Sequence, residues 1–111
     1  HLSGSMMKIV ACSLAVMMLS GLDVSMGTYS GFILLLGITM IAAPGVPGGA
    51  IMAAIGWLES MLGFDENMIG LMIATYIAMD SFGTATNVTG DGAIAVIVNA
   101  IDSRMVRGEK R

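Results

Sequence analysis

The chain has 111 residues, of which 56% are apolar and 12% are charged, and its mean hydropathy is +0.86. Residues 9–103 contain no Lys or Arg, which argues against an ordinary water-soluble domain because too few charges remain to cover its surface. We therefore predict a membrane protein. The net charge of −3 gives no reason to expect a nucleic-acid partner.

The first apolar segment, at residues 6–22, predicts a helix that ends near Gly21 and Asp23. The chain begins with His1 instead of an initiator Met and shows no signal peptide. We therefore expect it to be one piece of a longer polypeptide.

Two shorter apolar segments, at residues 28–42 and 50–62, flank the string PGVPGG at residues 44–49. A helix of about twelve residues rises only about 18 Å, short of the roughly 30 Å hydrocarbon core, so neither arm crosses the bilayer alone. We predict a re-entrant hairpin over residues 28–62, with Trp57 as an interface anchor. Irregular backbone at its tip must be buried in protein or line a cavity.

The last apolar segment extends from residue 66 to about residue 101, after a predicted C-terminal cap at Gly63 and a predicted N-cap at Asp65. Its length exceeds the thickness of a bilayer at about 1.5 Å per residue. Residues 81–92 are rich in Gly, Ser and Thr. We therefore expect the segment to be broken or unwound there, as at the midplane site of a transporter.

A basic tail follows the last segment. It occupies residues 104–111 and holds Arg104, Arg107, Lys110 and Arg111. By the positive-inside rule, the C-terminus of this multi-pass protein is predicted to be cytoplasmic.

A polar stripe crosses the last segment and consists of Asp80, Thr84, Asn87 and Asp91. At about 100° per residue, these positions share one helical face, and ionisable groups at membrane depth usually face a cavity or a bundle interior. No Lys or Arg is expected near Asp80, which suits it to an organic cation such as an amino group. Asp91 and the Asn87 amide could cage a sodium ion. The alternative is that the aspartates are protonated or lie at helix ends in the headgroup layer.

Enzyme functions lack support, because there is no P-loop, no G-x-S-x-G string and no His or Cys cluster with metal-binding spacing. A rival interpretation is a non-transporting membrane module whose glycines are helix-packing positions. A soluble helical bundle with a buried polar pocket is disfavoured by the long stretch without positive charge.

The string PGVPGG and the string DSFGTATNVTGD at residues 80–91 together resemble the second re-entrant hairpin and the last helix of the dicarboxylate/amino acid:cation symporters, the glutamate-transporter-like secondary carriers. The last helix of that family typically reads D-x-x-R-T-x-x-N-V-x-G-D, and this chain keeps Asp80, Thr84, Asn87, Gly90 and Asp91. The opening string HLSGS stands in the place of the family's N-M-D-G-T motif. Nearly the whole chain thus resembles the C-terminal part of such a carrier, with residues 1–22 as half of a broken helix, 28–62 as the hairpin and 65–103 as the last helix.

The resemblance implies an all-α, lipid-embedded transport domain that moves as an elevator within a homotrimer of full-length carriers. The hairpin tip is expected to act as a gate over an amino acid or dicarboxylate. The implied substrate contacts are Ser5, Val46, Asp80, Thr84 and Asn87, and the implied sodium ligands are Asp91, Asn87 and the backbone carbonyls of Met40, Ile41 and Ala43.

Two departures from the family pattern concern charge. Gly83 stands where acidic-amino-acid carriers have an Arg that pairs with the substrate's side-chain carboxylate, which favours a neutral substrate unless another part of the carrier supplies an Arg. Ser3 and His1 replace the Asp and Asn of the family motif, so coupling is expected to use fewer sodium ions, or protons. The sequence predicts part of a sodium- or proton-coupled symporter for amino acids or dicarboxylates.

Overall fold

The computed structural model describes residues 2–109 of the chain, which form an all-helical structure. In chain order the helices are α1 (Leu2–Ser20), α2 (Met26–Ile41), α3 (Gly49–Leu62), α4 (Glu66–Ala78) and α5 (Asp80–Glu109). The predicted all-α class is confirmed for these residues. The motif position at His1 and the tail residues Lys110 and Arg111 lie outside the described part.

Local sequence signals set the ends of the middle helices. Gly63 ends α3 with a positive φ of 71°, and its N–H donates to the carbonyl of Glu59 at 3.2 Å. Asp65 begins α4, because its side chain accepts a hydrogen bond from the Met68 N–H at 2.8 Å. Both predicted caps are confirmed, and Ser25 caps α2 in the same way as Asp65 caps α4.

α2 and α3 pack side by side as a helical hairpin joined by residues 42–48. The Trp57 indole N–H donates to the Thr39 hydroxyl at 2.8 Å and ties the two arms together. Gly49 lies directly against the carbonyl of Pro44, where a Cβ atom would collide with backbone. The turn is therefore held by a close backbone approach that only glycine allows at this position.

The apolar core lies between the first four helices. Its most buried side chains are Ile9 and Val16 of α1, Phe32, Leu36 and Met40 of α2, Ile51, Ala54 and Leu58 of α3, and Met72 of α4. A polar link crosses this core, because the Tyr29 hydroxyl donates to the carbonyl of Val10 and lies 2.9 Å from the buried Ser13 hydroxyl. The hairpin is thus anchored on α1 by both apolar and polar contacts.

The break in the last apolar segment falls at Met79, where α4 and α5 meet at an angle of 57°. The expected break within residues 81–92 is wrong, because α5 is helical throughout this stretch. The Thr86 and Thr89 hydroxyls donate to carbonyls one turn earlier, at 2.9 and 2.8 Å. These threonines are satisfied inside a helix, so their presence does not require the backbone to unwind.

The helices differ in how they could relate to a membrane. By length and composition, α1 could cross one, and α4 and α5 could do so together as one bent pair, whereas α2 and α3 are shorter apolar helices. Beyond its first turns α5 is exposed, and its exposed apolar side chains include Ile94, Val96, Ile97, Val98 and Ile101.

Candidate functional site

A pocket of about 560 Å³ lies where the hairpin turn meets α1, α4 and α5. Its lining consists of Ser5 and Lys8 of α1, Pro44, Gly45, Val46, Pro47, Gly48 and Ala50 of the hairpin, Tyr76 of α4, and Asp80, Gly83, Thr84, Asn87, Val88 and Asp91 of α5. The polar stripe of α5 forms one wall, because its members recur every three or four residues along a continuous helix.

All five expected substrate contacts line this pocket, namely Ser5, Val46, Asp80, Thr84 and Asn87, and so do two of the expected cation ligands, Asn87 and Asp91. The remaining expected sodium ligands, Met40, Ile41 and Ala43, are not part of its lining. They lie at the C-terminal end of α2, where the Met40 carbonyl accepts a hydrogen bond from the Ala43 N–H at 3.2 Å. The binding roles of all these residues stay predictions.

Asp80 has a basic partner, which contradicts the expectation that no Lys or Arg lies near it. The Lys8 ammonium is 3.2 Å from the Asp80 carboxylate and 3.8 Å from the centre of the Tyr76 ring. The Lys8 side chain is only 6% exposed, whereas that of Asp80 is 72% exposed. The carboxylate thus borders open space while the ammonium lies inside the protein.

Lys8 and Tyr76 are the members of this site that the sequence interpretation missed. Lys8 is the one Lys or Arg before residue 104, in an otherwise apolar helix, and such a residue is by itself a signal of a functional site. It is one turn from Ser5, so the two side chains share a face of α1. Tyr76 gave no comparable signal, because an aromatic residue in an apolar segment is common in a core.

A glycine contact brings α1 and α5 together beside the pocket. Gly4 packs on the backbone carbonyl of Gly83, with no room for a Cβ atom. The Gly4 N–H donates to the Asn87 side-chain oxygen at 2.8 Å. This bond fixes the orientation of the Asn87 amide, because the oxygen faces α1 and the amino group must lie on the other side. Close approach through small residues is typical of helix packing in membranes.

Asp80 occupies the first turn of α5. The positive end of a helix dipole favours a carboxylate at this position, in addition to the Lys8 ammonium. The pocket therefore combines one ammonium, two carboxylates, hydroxyl groups, an amide and the backbone of a Pro- and Gly-rich turn. Such a set can bind a small, charged, polar solute and a cation by ion pairs and hydrogen bonds.

Comparison with known proteins matches the chain to a family but to no individual protein. No curated protein and no solved structure matches the chain significantly. The family described as the sodium:dicarboxylate symporter family matches residues 1–101, a span that includes the hairpin, the break at Met79 and every pocket-lining residue. Since that match covers most of the sequence, the chain belongs to the sodium:dicarboxylate symporter family.

Proposed function

We propose that this chain forms the substrate and cation site of a secondary carrier that moves an amino acid or a dicarboxylate together with sodium ions or protons. The site lies between the hairpin turn and α5, and the hairpin is re-entrant. The carrier is a multi-pass protein of the cell membrane with a cytoplasmic C-terminus, and its transport domain moves as an elevator within a homotrimer.

One observation carries this proposal: the expected substrate contacts and the expected cation ligand Asp91 come from three separate segments and line one pocket. Ser5 is on α1, Val46 is in the hairpin turn and Asp91 is on α5. Helix packing alone would not require polar groups from distant segments to converge. The convergence therefore favours a binding site over the rival function of a helix-packing module, which accounts only for the contact between Gly4 and Gly83.

Sodium fits the residues present in two ways. Asp91 supplies a carboxylate in the pocket, and the Asn87 side-chain oxygen, which accepts the Gly4 N–H, has a second lone pair for a cation. Such oxygen groups are ligands that hard cations prefer. At the end of α2, the carbonyls of the last turn lie at the negative end of the helix dipole, and each oxygen keeps a second lone pair beside any hydrogen bond that it accepts. Met40, Ile41 and Ala43 would provide carbonyl ligands there for a second ion.

The test is uptake by the full-length carrier that contains this chain, reconstituted in liposomes. We expect accumulation of L-aspartate, L-serine or succinate that is driven by an inward sodium or proton gradient. Uptake that persists unchanged when both gradients are collapsed would show that the protein is not a symporter.

The cation role is tested with Asp91→Asn and the matched control Asp102→Asn, an exposed carboxylate of α5 that lies outside the pocket. We expect Asp91→Asn to lower the apparent sodium affinity by about tenfold or more, which corresponds to about 1.4 kcal/mol. The control should leave the sodium dependence unchanged. Equal sodium dependence in both variants would rule out Asp91 as a ligand.

A further inference from the structure

Lys8 is placed in the pocket in a way that ion pairing with Asp80 alone does not explain. A buried ammonium is costly unless it is paired, and Lys8 is 6% exposed. Yet its carboxylate partner is mostly open to solvent, and the 3.2 Å separation is long for a charge-assisted hydrogen bond. The ammonium has three donors; it donates to the Asp80 carboxylate and lies 3.8 Å from the centre of the Tyr76 ring.

The Lys8 side chain occupies the space that a side chain at position 83 would need. A Cβ atom at position 83 would lie 2.6 Å from Cε of Lys8 and 2.8 Å from its Cδ. Any side chain at position 83 would therefore displace the end of Lys8. Position 83 of α5 carries no positive charge. The Lys8 ammonium of α1 lies next to it, in the space that glycine leaves free.

The charges of the pocket favour a role for Lys8 in binding an anion. Among the described residues, its charged lining side chains are Lys8, Asp80 and Asp91. Without Lys8, a substrate carboxylate would enter beside the uncompensated Asp80 carboxylate and be repelled. Paired with Asp80, Lys8 offsets the charge of that carboxylate, and its ammonium keeps donors for an incoming carboxylate.

We infer that Lys8 is the specificity-determining cation of this pocket, that its ammonium binds the second carboxylate of a dicarboxylate or acidic amino acid, and that glycine at position 83 is required to leave it room. This inference rests on the proposed function and makes it more specific. It also removes the reason to expect a neutral substrate from the absence of Arg at position 83.

The probe is succinate, a dicarboxylate without an amino group, and the measurement is its affinity for the purified full-length carrier in sodium by titration calorimetry. We expect Lys8→Met to lower this affinity by at least about tenfold, as loss of a charge-assisted hydrogen bond should. The matched control Arg107→Met removes an exposed positive charge outside the pocket and should leave the affinity unchanged.

A double variant separates substrate binding from a purely structural role. Lys8→Met leaves Asp80 without its partner, so Asp80→Asn is added to remove the uncompensated charge. If Lys8 binds succinate, the double variant stays at least about tenfold weaker than the natural protein. Recovery of the natural affinity in the double variant would show that Lys8 only neutralises Asp80, and would overturn the inference.

Gly83→Ala tests the shared space. It should weaken succinate binding when Lys8 is present and have no further effect in the Lys8→Met background, because both changes act on the same ammonium. Gly92→Ala is the control, since a Cβ atom there meets nothing within 4 Å. Additive effects of Gly83→Ala and Lys8→Met would contradict the coupling.

Uptake and succinate binding by the unsubstituted carrier distinguish the proposed function from the proposed role of Lys8. Sodium-driven uptake of L-serine without any succinate binding would overturn the role of Lys8 and leave the proposed function standing. Absence of gradient-driven uptake for L-serine, L-aspartate and succinate alike would overturn the proposed function and this inference with it.

Discussion

Thr84 and Thr86 have the same side chain on the same helix but different surroundings. Thr84 lines the pocket one turn after Asp80. The Thr86 hydroxyl faces away and donates to the carbonyl of Phe82 at 2.9 Å. The two residues therefore form a matched pair in which only one hydroxyl can reach a bound solute.

We expect Thr84→Val to weaken the binding of the transported substrate by roughly two- to tenfold, the effect of losing one neutral hydrogen bond of about 0.5–1.5 kcal/mol. Thr86→Val should leave binding unchanged, because its hydroxyl serves only the helix backbone. The measurement is half-saturation of uptake for both variants of the full-length carrier. A larger effect of Thr86→Val than of Thr84→Val would exclude contact between Thr84 and the substrate.

Residue spacing predicted the polar wall of the pocket but not its charge balance. The positions of Asp80, Asn87 and Asp91 follow from helical periodicity, which is a local property of the sequence. The pairing of Lys8 with Asp80 joins residues 72 positions apart. It depends on how α1 crosses α5, and periodicity within one segment carries no information on that crossing.

At the scale of elements, capping residues predicted helix boundaries correctly. The Gly- and Thr-rich composition, in contrast, predicted the wrong position for the break in the last apolar segment. Gly63 and Asp65 act through backbone and side-chain bonds to their near neighbours, so their effect can be read from sequence. The Gly- and Thr-rich stretch at residues 81–92 stays helical, and two of its threonine hydroxyls bond back to the helix backbone. Its glycine at position 83 instead accommodates Gly4 and Lys8. Gly83 thus serves tertiary packing, which composition alone does not separate from helix breaking.

The hairpin turn gives a prediction at the same scale. Gly49→Ala places a Cβ atom against the backbone of Pro44, which must move, and overpacking of this kind costs about 1–3 kcal/mol. Because Pro44 lines the pocket, we expect both a lower melting temperature and several-fold weaker substrate binding.

Gly56→Ala is the matched control for Gly49→Ala within α3, since a Cβ atom at position 56 meets nothing within 4 Å. It should be neutral or stabilising by roughly 0.5–1 kcal/mol, because alanine favours a helix interior more than glycine does. Thermal unfolding and substrate titration of the two variants make the comparison. Equal effects would show that the close approach of Gly49 to Pro44 does not shape the site.

At the scale of the whole molecule, the path of the chain through the bilayer follows from helix lengths and contacts. α2 and α3 have 16 and 14 residues, or about 24 and 21 Å, which is less than the roughly 30 Å hydrocarbon core. They pack together as a hairpin, so we expect the start of α2 and the end of α3 to lie on one side of the membrane. We expect α4 to leave from that same side and α5, with 30 residues or about 45 Å, to reach the other.

Single cysteines at three exposed positions test this path in the full-length carrier. With Asp23→Cys and Ser60→Cys at the open end of the hairpin, we expect an impermeant maleimide to label both from outside intact cells. Ser103→Cys, near the end of α5, should react only after permeabilisation, because the basic tail is predicted to be cytoplasmic. The native Cys12 is only 4% exposed, so it provides a low baseline of labelling.

Labelling of positions 23 and 60 from opposite sides would mean that the hairpin crosses the membrane and is not re-entrant. Labelling of position 103 from outside would invert the orientation while leaving the hairpin geometry intact.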